Sequence, residues 1–144
     1  MRKTTKKGLK AIETKLDKEY QNFFRKLCAD FGITSQYSDE PMQVCHHPIE
    51  KSRSAILRYY PPNFVPLTHG EHANISLSRG DNTVMNRINL KRGIGWIEMI
   101  ENLKNKTISK DWKYYSDARI QLEEMKERRE ELVKNYKEKG YFFL

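Results

Sequence analysis

The chain has few of the residues that build cross-linked or membrane-spanning proteins. Only two of its 144 residues are cysteine, which excludes a disulfide framework and favours a reducing compartment. No run of 18 apolar residues occurs, and no apolar segment follows the basic N-terminus, so we expect neither a membrane span nor a secretory signal. The glycine motifs GxxxxGK[ST] and GxGxxG, which bind nucleotide phosphates, are also missing.

Positive charge, in contrast, is abundant. The chain has 27 Lys and Arg against 19 Asp and Glu, a net charge of +8, and nine of the basic residues fall within positions 1–31. Such an excess favours an anionic partner, with nucleic acid the first candidate. The length suits a single domain, which we place at 8–144 behind a basic tail at 1–7. The tail, with Lys3, Lys6, Lys7 and Lys10 in or beside it, is either a solubilising segment or a non-specific DNA clamp.

The apolar pattern predicts an α+β chain that is mostly helical. Apolar residues at steps of three and four predict an N-terminal helix over 8–31, ended by Gly32. Two short strands, at 42–47 and 64–68, and a following helix form a ββα segment within 42–80. The remaining part, 81–144, is expected to be helical. Its predicted elements are a short helix capped by Asp81 or Thr83, another from Trp96 to about Lys104, and a long helix from Ser109 to about Lys139.

The last helix, over 110–139, carries an apolar stripe with a spacing of seven. Two interpretations are open: the stripe packs on the chain's own first helix, or it forms a homodimer. Arg129 is polar at a core-type position and weakens the second. The stripe consists of Tyr115, Ala118, Leu122, Met125, Arg129, Leu132 and Tyr136.

All four histidines lie between positions 46 and 72. His46 and His47 are neighbours on a predicted strand, so they should point to opposite faces and not bind one metal together. His69 and His72 are three apart and share a face of the following helix. The residues by themselves also allow ordinary strand histidines without a ligand.

The segment CHHPIEKSRSAILRYYPPNFVPLTHGEH, residues 45–72, resembles the HNH nucleases, the ββα-metal group of the His-Me finger superfamily. The match is nearest to phage and prophage members. The resemblance implies a metal-dependent DNA endonuclease in which His46 and His72 bind the metal and His47 is the general base. Asn63 would hold the loop and orient that base.

The resemblance also implies the cofactor, a single divalent ion. Mg²⁺ is the first expectation, with Mn²⁺, Ni²⁺ or Zn²⁺ as alternatives. Many HNH proteins carry two cysteine pairs that bind a structural zinc, and the two cysteines here do not have that spacing, so we expect no structural zinc knuckle. The position of a further family histidine is Ser76, and whether His69 contributes a third nitrogen stays open.

The loop between His47 and Asn63 is basic, and we expect Lys51, Arg53 and Arg58 to contact DNA phosphates rather than only solvent. DNA is the expected partner and a bacterial cytoplasm the expected location, with the gene carried by a phage or prophage. Two other functions remain open: a non-catalytic DNA-binding accessory or recombination protein on a degenerate HNH scaffold, and a helical interaction protein.

Overall fold

The structure, a computed structural model, describes residues 5–77 and 82–144. Over these ranges the chain forms seven α-helices and a two-stranded antiparallel sheet. The expected mostly helical α+β class is confirmed. No helix in the described ranges is both long and apolar enough to cross a membrane.

The first helix, α1, spans Lys6–Phe31 and begins two residues earlier than expected. The hydroxyl of Thr5 caps it by accepting a hydrogen bond from the Gly8 backbone N–H at 3.1 Å. Gly32 ends it with a φ of 68°, a left-handed conformation that glycine adopts without steric cost. Of the expected basic tail, residues 1–4 lie outside the described ranges.

Two short strands and the helix after them form the centre of the candidate site. Strand β1 (Val44–His46) pairs with β2 (Val65–Leu67), and α3 (His69–Leu77) follows directly. The intervening segment, expected to be irregular, contains a short helix α2 (Ala55–Arg58) and a 3-10 turn at Pro61–Asn63. Prolines suit the first positions of such a turn because no backbone N–H is needed there.

Helices form the rest of the chain. Helix α4 spans Thr83–Arg92 and α5 spans Ile94–Lys104. The single helix expected over 110–139 is in fact two, α6 (Trp112–Glu127) and α7 (Arg129–Lys139).

The break between α6 and α7 falls at Arg128, which has a φ of −115°. Asp111, not Ser109, caps α6, and its carboxylate accepts the Tyr114 N–H at 3.0 Å. The expected end of α3 near Ser78 and Gly80, and the Asp81 cap, lie outside the described residues.

The main core lies between α1 and the two C-terminal helices. The apolar stripe of α6 and α7 fills this core, with Leu122, Met125 and Leu132 fully buried against residues of α1. Arg129 lies at the edge, where its guanidinium pairs with Asp30. The stripe is therefore used within the chain, and a homodimer would have to use another face of these helices.

Both cysteines are free and buried in the same core. Burial raises the pKa of the Cys28 thiol to about 12. Burial, followed by the nearby Cys28, also raises the pKa of Cys45 well above its ordinary value. Both side chains act as small apolar core residues, as expected from the sequence.

Candidate active site

The start of α3 is fixed by a capping box that the sequence contains as Thr68-x-x-Glu71. The Thr68 hydroxyl accepts the Glu71 N–H at 3.2 Å, and the Glu71 carboxylate accepts the Thr68 N–H at 3.0 Å. Ser35, from the loop after α1, donates a further hydrogen bond to Glu71 at 2.5 Å. These bonds fix the first turn of α3, which carries His72.

His46 at the end of β1 lies beside His72 on α3, with the two ring planes tilted by 60°. Their Nδ1 atoms are 2.9 Å apart, although 26 residues separate them in the chain. Burial and the neighbouring His72 lower the pKa of His46 to about 4. Burial, His69 and Lys51 lower the pKa of His72. Both rings are therefore neutral at pH 7, the form that binds a metal ion.

The 2.9 Å between the two Nδ1 atoms is the length of a direct hydrogen bond between neutral imidazoles. Two ligands at right angles, each about 2.0–2.1 Å from an ion, would have the same spacing. Among the described residues, no group of three or more His, Cys, Asp and Glu side chains is arranged to hold a metal. The pair could therefore supply two of the ligands of an ion. Imidazole suits Ni²⁺ and Zn²⁺ better than Mg²⁺, which prefers oxygen ligands.

His47 is buried beside this pair, with its ring centroid 4.3 Å from that of Phe64. Its Nε2 atom is buried and has no hydrogen-bond partner. The Arg58 backbone lies near enough to the imidazole to favour its charged form. Burial, then Lys51 and His46, outweigh this and lower the pKa of His47 to about 3, so the ring is neutral at pH 7.

Strand β1 ends at His46, and Pro48 follows His47. The His46 imidazole meets His72 on α3, whereas the His47 ring packs against Phe64. His46, His47 and His72 line one cavity of about 300 Å³. The rest of its wall comes from the loop after β1 and from α3 and α4: Pro48, Glu50, Lys51, Ile75, Ser76 and Met85.

Asn63 lies beneath the loop rather than in the cavity, and it is fully buried. Its amide nitrogen donates to the carbonyls of Ile49 at 3.0 Å and Leu57 at 3.2 Å. Its amide oxygen accepts the Ile49 N–H at 3.3 Å. Asn63 therefore ties Ile49, two residues after His47, to Leu57 in α2.

Of the other histidine and loop residues, two are exposed and one lines the cavity. His69 is exposed and is not among the cavity residues; its backbone N–H donates to Gln43 at 3.1 Å. Lys51 lines the cavity and approaches Asp17 on α1, with Nζ 3.9 Å from Oδ2. Arg53 is exposed to solvent.

Arg58 is buried, so its guanidinium is not exposed for contact with DNA. It is 8% exposed, and its guanidinium forms two bonds with Asp17, at 3.1 and 2.5 Å, and lies 3.3 Å from Glu13. A buried guanidinium with a paired carboxylate is held by this fork-like geometry. The expected phosphate contact of Arg58 is therefore corrected: its side chain anchors the loop to α1.

Sequence reasoning missed the partners on α1. Glu13 and Asp17 lie on the same face as the buried Leu16 and Tyr20, so two acidic residues on the apolar face were the available signal. The capping box at Thr68 was also readable from the sequence. The buried cation Arg92 carried no such signal, because its partners are mostly backbone carbonyls.

Comparison of the chain with models of protein families, with curated proteins and with solved structures yields no match. The function must therefore be inferred from the geometry of the three histidines and their surroundings.

Proposed function

We propose that this protein is a metal-dependent DNA endonuclease of the HNH type, which hydrolyses phosphodiester bonds. One observation carries the proposal: His46 and His72 form a pair in one cavity with His47, whose buried Nε2 has no partner. A buried polar atom without a partner is rare and calls for an explanation. A base that bonds only to its substrate water supplies one.

The chemistry assigned to His47 follows from its two nitrogens. Hydrolysis of a phosphodiester requires removal of a proton from the attacking water. In the proposed mechanism Nδ1 carries the ring proton and the unpartnered Nε2 accepts the proton from water. The Arg58 backbone favours the imidazolium that results, whereas burial, Lys51 and His46 oppose it and lower the pKa of His47 to about 3, so the base is weak before substrate binds. Asn63 holds the loop between His47 and Arg58.

The other residues of the cavity bind and orient the substrate. His46 and His72 would hold a divalent ion, which supplies Lewis-acid stabilisation of the negative charge on the phosphate and the leaving oxygen. The ammonium group of Lys51 provides a positive charge at the same cavity for the approaching phosphate. Arg53 lies exposed two residues further along and extends the basic edge. The expected location in the cytoplasm of a bacterial host, with a phage or prophage origin, forms part of this proposal.

The proposal is tested by nicking of supercoiled plasmid DNA in Ni²⁺, Mn²⁺, Zn²⁺ or Mg²⁺, with EDTA as the blank. Substitution His47→Ala should lower the rate at saturating DNA by at least about 10²-fold, the usual size of a general-base contribution. The matched control is His69→Ala, because His69 is exposed and lies three residues from His72. It should nick like the native protein.

Near-native nicking by a folded His47→Ala protein would remove the assignment of the base. The second candidate function is DNA binding without turnover on the same scaffold. The small number of candidate metal ligands, two imidazoles, favours this second function. This candidate requires that the native protein bind DNA and nick it in none of the four metals.

A further inference from the structure

Two carboxylates on α1 gather cationic side chains from four parts of the chain. Glu13 and Asp17 lie one helical turn apart on α1. Lys10 precedes them on the same helix, whereas the other three partners belong to the loop before α2, to α2 itself and to the loop before α6. The closest nitrogen–oxygen distances are 3.7 Å for Lys10 to Glu13, 3.9 Å for Lys51 to Asp17, 2.5 Å for Arg58 to Asp17 and 3.2 Å for Lys110 to Glu13.

The two carboxylates are mostly buried, whereas the lysines that pair with them are exposed to solvent. The side chains of Glu13 and Asp17 are only 4% and 15% exposed. The side chains of Lys10, Lys51 and Lys110 are 78%, 41% and 44% exposed. Four cations against two anions leave an excess of positive charge, and an approaching molecule meets the ammonium groups rather than the carboxylates.

The carboxylates also have inner partners that do not depend on the lysines. The Tyr115 hydroxyl donates to Glu13 at 2.6 Å, and the Tyr59 hydroxyl donates to Asp17 at 2.8 Å. Arg58 binds Asp17 through two nitrogens. If the lysines turn to a phosphate, Glu13 and Asp17 therefore keep their inner partners and no buried charge is left unpaired. The turn also costs little, because exposed ion pairs contribute little to stability.

We infer that the phosphate backbone of duplex DNA runs from the candidate active site across this lysine patch, defined as Lys10, Lys51 and Lys110. Lys51 belongs to both surfaces, since it lines the histidine cavity and pairs with Asp17. The inference rests on the proposed endonuclease function and names the surface on which its substrate lies. It assigns DNA contacts to Lys10 and Lys110 and gives the buried Arg58 only a supporting role.

The test is the salt dependence of binding to a fluorescent DNA duplex, measured by anisotropy in EDTA so that no cleavage occurs. Each of Lys10→Gln and Lys110→Gln should reduce the slope of log affinity against log salt by about 0.9. The affinity lost between 50 and 200 mM salt should then shrink about threefold for each lysine removed. Lys110→Arg keeps the charge and should keep the native slope.

The chain offers two matched controls. Lys26, at the other end of α1, is 74% exposed and pairs with Asp30, much as Lys10 pairs with Glu13. Lys126 on α6 is 47% exposed and pairs with Glu123. Lys26→Gln and Lys126→Gln should both leave the slope unchanged. If Lys110→Gln does not fold, Lys10→Gln decides, because its side chain is mostly in solvent.

The lysine patch is overturned if Lys10→Gln has the same slope as the two controls, or if the native protein shows no salt-dependent binding. Plasmid nicking by the native protein distinguishes this failure from that of the proposed function. Intact nicking with unchanged slopes removes the patch alone. Reduced slopes without nicking in any metal remove the nuclease and retain the patch as a DNA-binding surface.

Discussion

Two buried basic side chains of this protein, Arg92 and His47, have opposite surroundings. All three guanidinium nitrogens of Arg92 donate hydrogen bonds, to Gln36 at 2.8 Å, to the Pro62 carbonyl at 2.9 Å and to the Phe64 carbonyl at 3.0 Å. Its guanidinium also lies 4.9 Å from the ring centroid of Trp96. His47 is equally buried, yet its Nε2 has no partner.

This difference in hydrogen bonding distinguishes a residue that supports the fold from one that is available to a ligand. Arg92 fastens the chain on both sides of Asn63, and each of its three nitrogens donates a hydrogen bond inside the protein, so little remains for a ligand. Burial lowers the pKa of Arg92 to about 10, which still leaves it charged at pH 7. His47 lines a cavity and has one buried nitrogen without a partner, which costs stability unless a ligand uses it.

The largest expected effect on stability separates these two residues. Arg92→Met should lower the free energy of unfolding by about 3 kcal/mol or more, because three buried acceptors lose their donor at about 1–3 kcal/mol each. His47→Leu should change it by less than about 1 kcal/mol, since it removes an unpartnered polar atom. Urea denaturation of both variants measures the difference, and equal losses would contradict the division between scaffold and site.

A second expectation concerns Asn63, which supports the fold and also anchors the loop beside the candidate site. Asn63→Ala should lower the free energy of unfolding by about 2 kcal/mol, because the backbone groups of Ile49 and Leu57 lose their partners. It should also lower nicking, because the loop between His47 and Arg58 then loses its anchor. Asn63→Ala with native stability but reduced nicking would place this residue in contact with substrate instead.

The metal pair gives a third expectation. His46→Ala and His72→Ala should each weaken binding of Ni²⁺ by about tenfold or more, since each removes one of two protein ligands. Titration calorimetry of the native protein should also rank Ni²⁺ and Zn²⁺ above Mg²⁺. His69→Ala is the control. A greater loss of affinity in that variant would mean that the exposed His69 on α3 is a metal ligand and that the assigned pair is wrong.

The smallest expected effect is a dependence of stability on pH through Glu13. Burial raises the pKa of this carboxyl, but the Tyr115 hydrogen bond and the charges of Arg58 and Lys110 lower it overall from its ordinary 4.5. A lowered folded pKa stabilises the fold above pH 4.5, and this stabilisation is lost as the pH falls through the folded value.

Glu13→Gln should therefore be less stable than the native protein by about 1–2 kcal/mol at pH 7, the usual contribution of hydrogen bonds to a charged group. The difference should shrink on acidification below pH 4.5. Lys126→Gln, which removes an exposed ion pair with Glu123 on α6, should show no such trend. A difference that stays constant down to acid pH would mean that Glu13 keeps its ordinary pKa.

Periodicity predicted the elements whose pattern is local. Helix α1 and its Gly32 end follow directly from apolar spacing and glycine chemistry. The break at Arg128 did not, because the seven-residue spacing continues through it from Met125 to Leu132. Helix α2 was missed for a similar reason: four residues between polar segments carry no period.

The candidate site shows the same division between local and distant signals. The expectation that His46 lies with His72 and that Asn63 holds the loop came from the family resemblance rather than from residue spacing. Residue types placed Arg58 at the surface, because its burial depends on Asp17, a residue 41 positions away on another helix. Strand β1 ends at His46, one residue earlier than the sequence suggested.

The two buried thiols make the native protein easy to label at chosen positions. A thiol reacts as its thiolate, and burial keeps both Cys28 and Cys45 protonated and out of reach of reagents. A cysteine introduced at an exposed position would therefore be the fast-reacting one in the folded chain. Maleimide dyes placed on α3 and on α6 in this way would report the distance between these helices with both native cysteines left in place.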